Sequence, residues 1–204
     1  MRSAVTSLVC LLALTGCGGS SDDDDKDDAA PDSCSVLSEA QVADLAGQPV
    51  TQSRDDEVGG VPACRYMVEN GDQVQVIDVP ASQWSRELPA LLDQVEQSGL
   101  VNDPKSRAKF ADAREQLDAA GFLDDDAACA LFSDLLEIQG LPAGEERIVN
   151  LVPNREEPSG VNGQTCSDGV YTSVQLQAAD LTDQQAVVAR VETALDAAHA
   201  ASVE

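Results

Sequence analysis

One short pattern occurs twice in this chain, and the repetition constrains its fold more than any other feature. Cys34-Ser35-Val36-Leu37-Ser38-Glu39 is matched by Cys129-Ala130-Leu131-Phe132-Ser133-Asp134: a cysteine, a small residue, two apolar residues, then serine and an acid. Both serines read as helix N-caps, whose hydroxyls satisfy backbone N–H groups left open in the first turn. Ser38 with Gln41 completes a capping box. Each short helix then stops at Gly-x-Pro, Gly47-Gln48-Pro49 and Gly140-Leu141-Pro142, because glycine accepts the left-handed cap and proline cannot continue the helix.

The likeness extends downstream. A polar, glycine-containing stretch leads to a second cysteine, Cys64 or Cys166, and then to an alternating run, Gln73–Val79 or Tyr171–Gln177. Alternation with β-branched residues predicts strands with one buried face. Asn70-Gly71 between two such runs signals a hairpin. Each copy closes on an amphipathic helix, near 84–98 and 182–200, the second with Ala186, Val187, Arg190, Val191, Ala194, Leu195 and Ala198 placing small and apolar residues on one stripe. A helix over 103–121 joins the copies, opened by Asp103-Pro104 and ended by Gly121. The expectation is a single α+β domain over 34–200: repeat one at 34–99, repeat two at 129–200. Two related α-β-β-α halves would form a twisted antiparallel sheet with helices on one face.

Cysteine usage fits export. Cys34, Cys64, Cys129 and Cys166 are an even set, which in an oxidising compartment means two disulfides with three possible pairings. Zinc would need a C-x-x-C pair or nearby histidines, and the only histidine is His199. If the repeat is real, equivalent cysteines make equivalent bonds, Cys34–Cys64 and Cys129–Cys166. Such loops are worth roughly 3–4 kcal/mol each, which matters where only 3% of residues are aromatic.

The first residues combine Arg2, a short apolar run and Leu14-Thr15-Gly16-Cys17. The run is too short to span about 30 Å of hydrocarbon and reads as a secretory signal over 1–16. Its end resembles the bacterial lipobox. That resemblance implies a diacylglycerol on the sulfur of Cys17, cleavage in front of it, and a stable anchor once several acyl chains are attached. Residues 17–33 then form a lipidated acidic tether, too polar to offset the entropy of ordering; a flexible coil of that length reaches roughly 20–25 Å.

The formal charge of −25 repels phosphates, so nucleic acid is not an expected partner. The membrane enters through the lipid on Cys17, and an envelope protein or a small ligand is the remaining partner class. The lipobox, the Cys34-Ser-Val-Leu-Ser-Glu opening, Gly47 after a short helix, Cys64 followed by Arg65-Tyr66, and the terminal amphipathic helix together resemble a group of small actinobacterial cell-envelope lipoproteins carrying an uncharacterised domain. That resemblance implies export and a lipid anchor on the extracytoplasmic side of the cell membrane. It implies no chemistry.

No catalytic set stands out. There is no Gly-x-Ser-x-Gly elbow, no phosphate loop or dinucleotide fingerprint, and His199 reads as solvent-facing near the chain end. Trp84 reads as a core anchor for its helix. The clusters Asp55-Asp56-Glu57, Asp124-Asp125-Asp126 and Glu156-Glu157 adjoin glycine or proline and read as exposed turns; Asp124–Asp126 also suit the approach to a helix start. The expectation is a non-catalytic binding or scaffolding module without a cofactor or metal. Two alternatives are a hydrolase using carboxylates or a bound cation, and a calcium-responsive scaffold.

Overall fold

The computed structural model describes residues 34–98, 107, 108, 111, 114, 115, 117, 122–179 and 181–203. The expected signal over 1–16, Cys17 with the rest of the expected tether 17–33, and most of the expected linking helix 103–121 lie outside the described residues. Within that helix Arg107, Ala108, Ala111, Arg114, Glu115 and Leu117 are helical.

In chain order the elements are α1 (Glu39–Ala46), β1 (Val50–Val58), β2 (Val61–Val68), β3 (Gln73–Pro80), α2 (Ala81–Ser98), α3 (Asp125–Ile138), β4 (Arg147–Val152), β5 (Gly160–Ser167), β6 (Val170–Gln177) and α4 (Gln184–Ser202). The strands form one open sheet in the order β1-β2-β3-β6-β5-β4, antiparallel at every pairing. The α+β class holds, and each half contributes a three-stranded meander. The meanders meet where β3 and β6 pair from Gln73↔Gln177 to Pro80↔Val170.

Local chemistry sets most element boundaries. Ser38 accepts from the Gln41 N–H while the Gln41 side chain accepts from the Ser38 N–H, the expected capping box. Gly47, in the left-handed region at φ 71°, ends α1. The second copy differs. The helix begins at Asp125, capped by Asp124, whose Oδ1 accepts from the Ala127 N–H at 2.8 Å. Ser133 therefore lies inside α3 and caps nothing, because the buried stripe of Ala128, Leu131, Phe132 and Leu136 runs straight past it. Asp125 and Asp126 stand in the first turn, where the helix dipole favours negative charge. The first acidic cluster is also not a turn: Asp55, Asp56 and Glu57 belong to edge strand β1, with Asp56 paired to Arg65 on β2. Charge on an outer strand discourages pairing with other chains.

The expectation of helices on one face fails. Along β3, Val74 and Val76 face a core with α1 and α4, whereas Ile77 and Val79 face a second core with α2 and α3. Val174 and Leu176 of β6 join the first and Tyr171 the second. The central strands are thus buried on both sides, as the nearly continuous burial of β6 shows, with α1 and α4 on one face and α2 and α3 on the other. The cysteine positions enforce this division. Cys64 lies opposite Val76, which lies opposite Val174. Cys166 lies opposite Tyr171, an odd number of residues from Val174, and so on the other face. Each disulfide draws its copy's first helix to a different side.

Both bonds follow the pairing expected from the repeat, Cys34–Cys64 and Cys129–Cys166, with Cα separations of 4.9 and 5.1 Å. Tyr66, fully buried beside the first, directs its hydroxyl at the carbonyls of Cys34 and Leu37, at 3.0 and 3.1 Å. Replacing Cys129 and Cys166 together by alanine should cost about 4 kcal/mol for a loop of that length. Urea denaturation against wild type measures it, and non-reducing peptide mapping must show the other bridge intact.

Candidate functional site

Two polar clusters interrupt the central strands, one on each face. The first forms the floor of a cavity on the α2 side. Gln75 lies opposite Gln175, and Gln175 opposite Asn162, giving a row of carboxamides across three strands. Ser173 and Gln164 stand opposite each other beside that row. Asn162, Gln164, Ser173 and Gln175 are all buried. Ser173 donates to Asn162 Oδ1 at 3.2 Å, while the amides of Gln75, Gln164 and Gln175 have no hydrogen-bond partner among the described residues and line the cavity instead.

Trp84, Ile77, Leu88, Tyr171, Val58 and Val61 form the apolar walls. Trp84 is 6% exposed and stacks on Tyr171 at 4.6 Å, with Phe132 edge-on at 5.6 Å. It is the expected core anchor and also bounds the cavity. Burial holds the Tyr171 phenol above its ordinary range, against a smaller opposing effect of its hydrogen bond to Ser173. The rim is the β1–β2 turn, where Gly60 (φ 87°) lies against the Glu87 carboxyl: a Cβ at this glycine would come within 2.5 Å of it. The cavity measures about 60 Å³, room for about four to six waters at roughly 10–15 Å³ each.

The second cluster lies on the opposite face, under the end of α4. Asp78 and Thr172 are opposite each other on β3 and β6. Thr172 Oγ1 donates to Asp78 Oδ2 at 2.8 Å, and Ser202 Oγ donates to Asp78 Oδ1 at 2.5 Å. His199 places Nδ1 at 2.9 Å from Thr172 Oγ1 and Nε2 at 2.8 Å from Ser167 Oγ. His199 is therefore half-buried with both ring nitrogens engaged, not the solvent-facing residue its position near the chain end suggested. A serine beside an oriented base is present after all. Sequence reading missed it because Ser167 and His199 are 32 residues apart and meet only when α4 docks. Burial raises the Asp78 carboxyl above its ordinary value, opposed by the bonds from Ser202 and Thr172 and by the nearby His199.

The remaining expected site residues are structural in this fold. Asp124 caps α3, and Asp125 Oδ1 accepts from the Ser82 N–H at 2.8 Å. Glu156 and Glu157 lie in a bend where their N–H groups donate to Asn154 Oδ1. Among the described residues no group of three or more His, Cys, Asp or Glu side chains is gathered to hold a metal ion. A carboxylate pair does not assemble at the cavity either: Glu87 is its one lining acid, and Asp78, the buried carboxylate, faces the other way. No helix of the described residues is long and apolar enough to cross a membrane.

Neither models of known protein families, nor curated proteins, nor solved structures match this chain. The geometry alone defines the class: a disulfide-stapled α+β sandwich with two polar clusters set into its central strands.

The raised Asp78 fixes the sign of a pH dependence. A carboxyl whose value is raised by folding favours the folded state fully below its unfolded value, and that contribution is lost as pH rises through the folded one. Acidification from pH 7 through the window starting just above the ordinary 3.8 should therefore stabilise wild type relative to Asp78→Asn. Paired urea titrations of the two proteins between pH 3.5 and 7 measure that difference, and subtraction removes the relief of general acidic repulsion that both share.

Proposed function

We propose that this protein is a lipid-anchored binding module on the extracytoplasmic side of the cell membrane, and that the amide-floored cavity is its ligand site. The observation that carries this reading is the row Gln75–Gln175–Asn162 with neighbouring Gln164. An apolar residue at such interior positions would pack without needing a partner. The amides of Gln75, Gln164 and Gln175 make no bond to protein, and none of their atoms is sealed from solvent, so they stand open to whatever enters the cavity. Carboxamides offer donors and acceptors without charge, and Trp84 and Tyr171 add an apolar edge. Such a lining suits a small, neutral group rich in hydrogen-bonding atoms. The small volume limits the ligand to a head group or the tip of a longer molecule.

The anchor rests on the lipobox-like Leu14-Thr15-Gly16-Cys17 and the acidic tether behind it. Two disulfides in one small domain support an oxidising compartment. Membership of the actinobacterial envelope lipoproteins whose motifs the sequence resembles belongs to the same proposal. The cavity supports a binding role there, with no nucleophile–base pair among its lining residues.

Cys17→Ala should move the protein from the membrane to the soluble fraction, and retention in the membrane would remove the anchor from the reading. For the ligand site, methyl glycosides and simple carboxamides at millimolar concentration should shift the side-chain NH₂ signals of Gln75, Gln164 and Gln175 in ¹⁵N-correlated NMR spectra. Gln175→Leu should abolish those shifts while leaving the protein at least as stable. If no compound in either class moves the three signals, the cavity is not a site for neutral polar ligands.

A further inference from the structure

We propose that Ser167 is an activated nucleophile that accepts the acyl group of a small ester, with His199 as its general base. This lies on the face opposite the cavity and goes beyond the binding role. Serine hydroxyls are poor nucleophiles unless a base within hydrogen-bond reach takes the proton and a third group orients that base. All the parts are present. Ser167 Oγ is 2.8 Å from His199 Nε2, and His199 Nδ1 is 2.9 Å from Thr172 Oγ1, which donates at 2.8 Å to buried Asp78.

The protons fix a direction. With Asp78 ionised, the single Thr172 hydroxyl proton points at the carboxylate, so Thr172 can only accept from His199. His199 then carries its proton on Nδ1 and presents a bare Nε2 to the Ser167 hydroxyl. Thr172 and Asp78 are positioning residues acting through His199, with Ser202 holding the second carboxylate oxygen.

Ser167 is also held in place. It ends β5 at a two-residue turn, Asp168-Gly169, with both residues in the left-handed region at φ 50° and 77°. That geometry matches strand twist and makes a tight hairpin. The turn is pinned where the Gly169 carbonyl accepts from the Ala81 N–H at 2.9 Å. Ser167 and His199 are both half-buried, so neither residue is sealed from solvent. Asp168 beside them is exposed and the chain is strongly acidic, which favours neutral or cationic esters over anionic ones.

In the step itself, Ser167 Oγ forms a bond to the ester carbonyl carbon as its proton passes to His199 Nε2. The carbon–alkoxy bond breaks, and the leaving alcohol takes that proton. Water then attacks the acyl-serine with His199 again as base, releasing the acid and restoring Ser167.

The test uses the untagged mature chain, so that His199 is the only imidazole present. A fluorophosphonate ester should modify Ser167, the phosphorus–oxygen bond forming as fluoride leaves, and peptide mapping should place the adduct there. Ser167→Ala should remove the adduct. His199→Gln should slow its formation about 10²–10⁴-fold while circular dichroism and the melting temperature stay near wild type. The ¹⁵N shifts of the single imidazole at pH 8 should report the Nδ1–H tautomer, and Thr172→Val should mix the two tautomers. An absence of adduct on folded protein would overturn the proposal, as would wild-type labelling in His199→Gln. An Nε2–H tautomer in wild type would do so without any variant. The cluster would then be only a clasp for the end of α4.

Discussion

The pairing of β3 with β6 is the constraint on which the rest of this structure depends. It joins the two meanders, and its register decides what each face of the sheet presents. Val76 opposite Val174 feeds the core under α1 and α4, and Val79 opposite Tyr171 feeds the core under α2 and α3. The same register sets Gln75 beside Gln175 at the cavity floor and Asp78 beside Thr172 on the other face. Because side chains alternate with a period of two, a slip by one residue would bury the glutamines in the first core and put Asp78 in the second. Burial on both sides therefore specifies this seam strongly, and both polar clusters inherit their geometry from it.

The disulfides complement the seam because they act at right angles to it. Each ties an opening helix segment to the middle strand of its own meander, Cys34 to β2 and Cys129 to β5. The seam joins the halves, and the bridges join layers. With 37 acidic against 12 basic residues, the chain repels itself, and compaction has to be held against that repulsion. Restricting the unfolded chain through two loops is one contribution. The other is pairing of scarce cations, as with Arg65 and Asp56 or with Arg147 and Asp196, although exposed pairs of this kind add little individually.

How far the sequence disclosed this fold depended on whether the relevant interaction was local. The Ser38 capping box, the Gly47 stop, the Asn70-Gly71 hairpin and the alternation of Gln73–Val79 and Tyr171–Gln177 are signals within a few residues, and each appears as expected. The disulfide pairing came from the repeat. Strand β1 did not show, because an exposed edge strand carrying Asp55, Asp56 and Glu57 has the composition of a turn. Ser133 misled because Asp124, nine positions earlier, caps the helix in its place. The division of helices between faces depends on the parity of Cys64 and Cys166 relative to β6, and that parity follows from hairpin registers fixed only in the folded sheet. Neither polar cluster was legible at all. The glutamines are neighbours across strands, and His199 reaches Ser167 and Thr172 only through the docking of a helix.

The two clusters share one physical peculiarity. Asp78, Gln75, Thr172, Ser173 and Gln175 occupy the two central strands of a sheet covered on both sides, where valine and isoleucine would pack without any requirement for partners. Elsewhere the local choices agree with the fold: caps begin helices, charged residues lie on an edge, and apolar residues fill two cores. Departures from such agreement concentrate where a protein gives up stability for function. The Asp78 cluster satisfies its polar atoms internally and orients them along a chain of hydroxyl and imidazole groups. The glutamine row leaves its amides open to a cavity. The first arrangement suits directed proton movement, and the second suits an uncharged guest. One strand pairing carries both because its two faces are chemically independent surfaces of the same backbone.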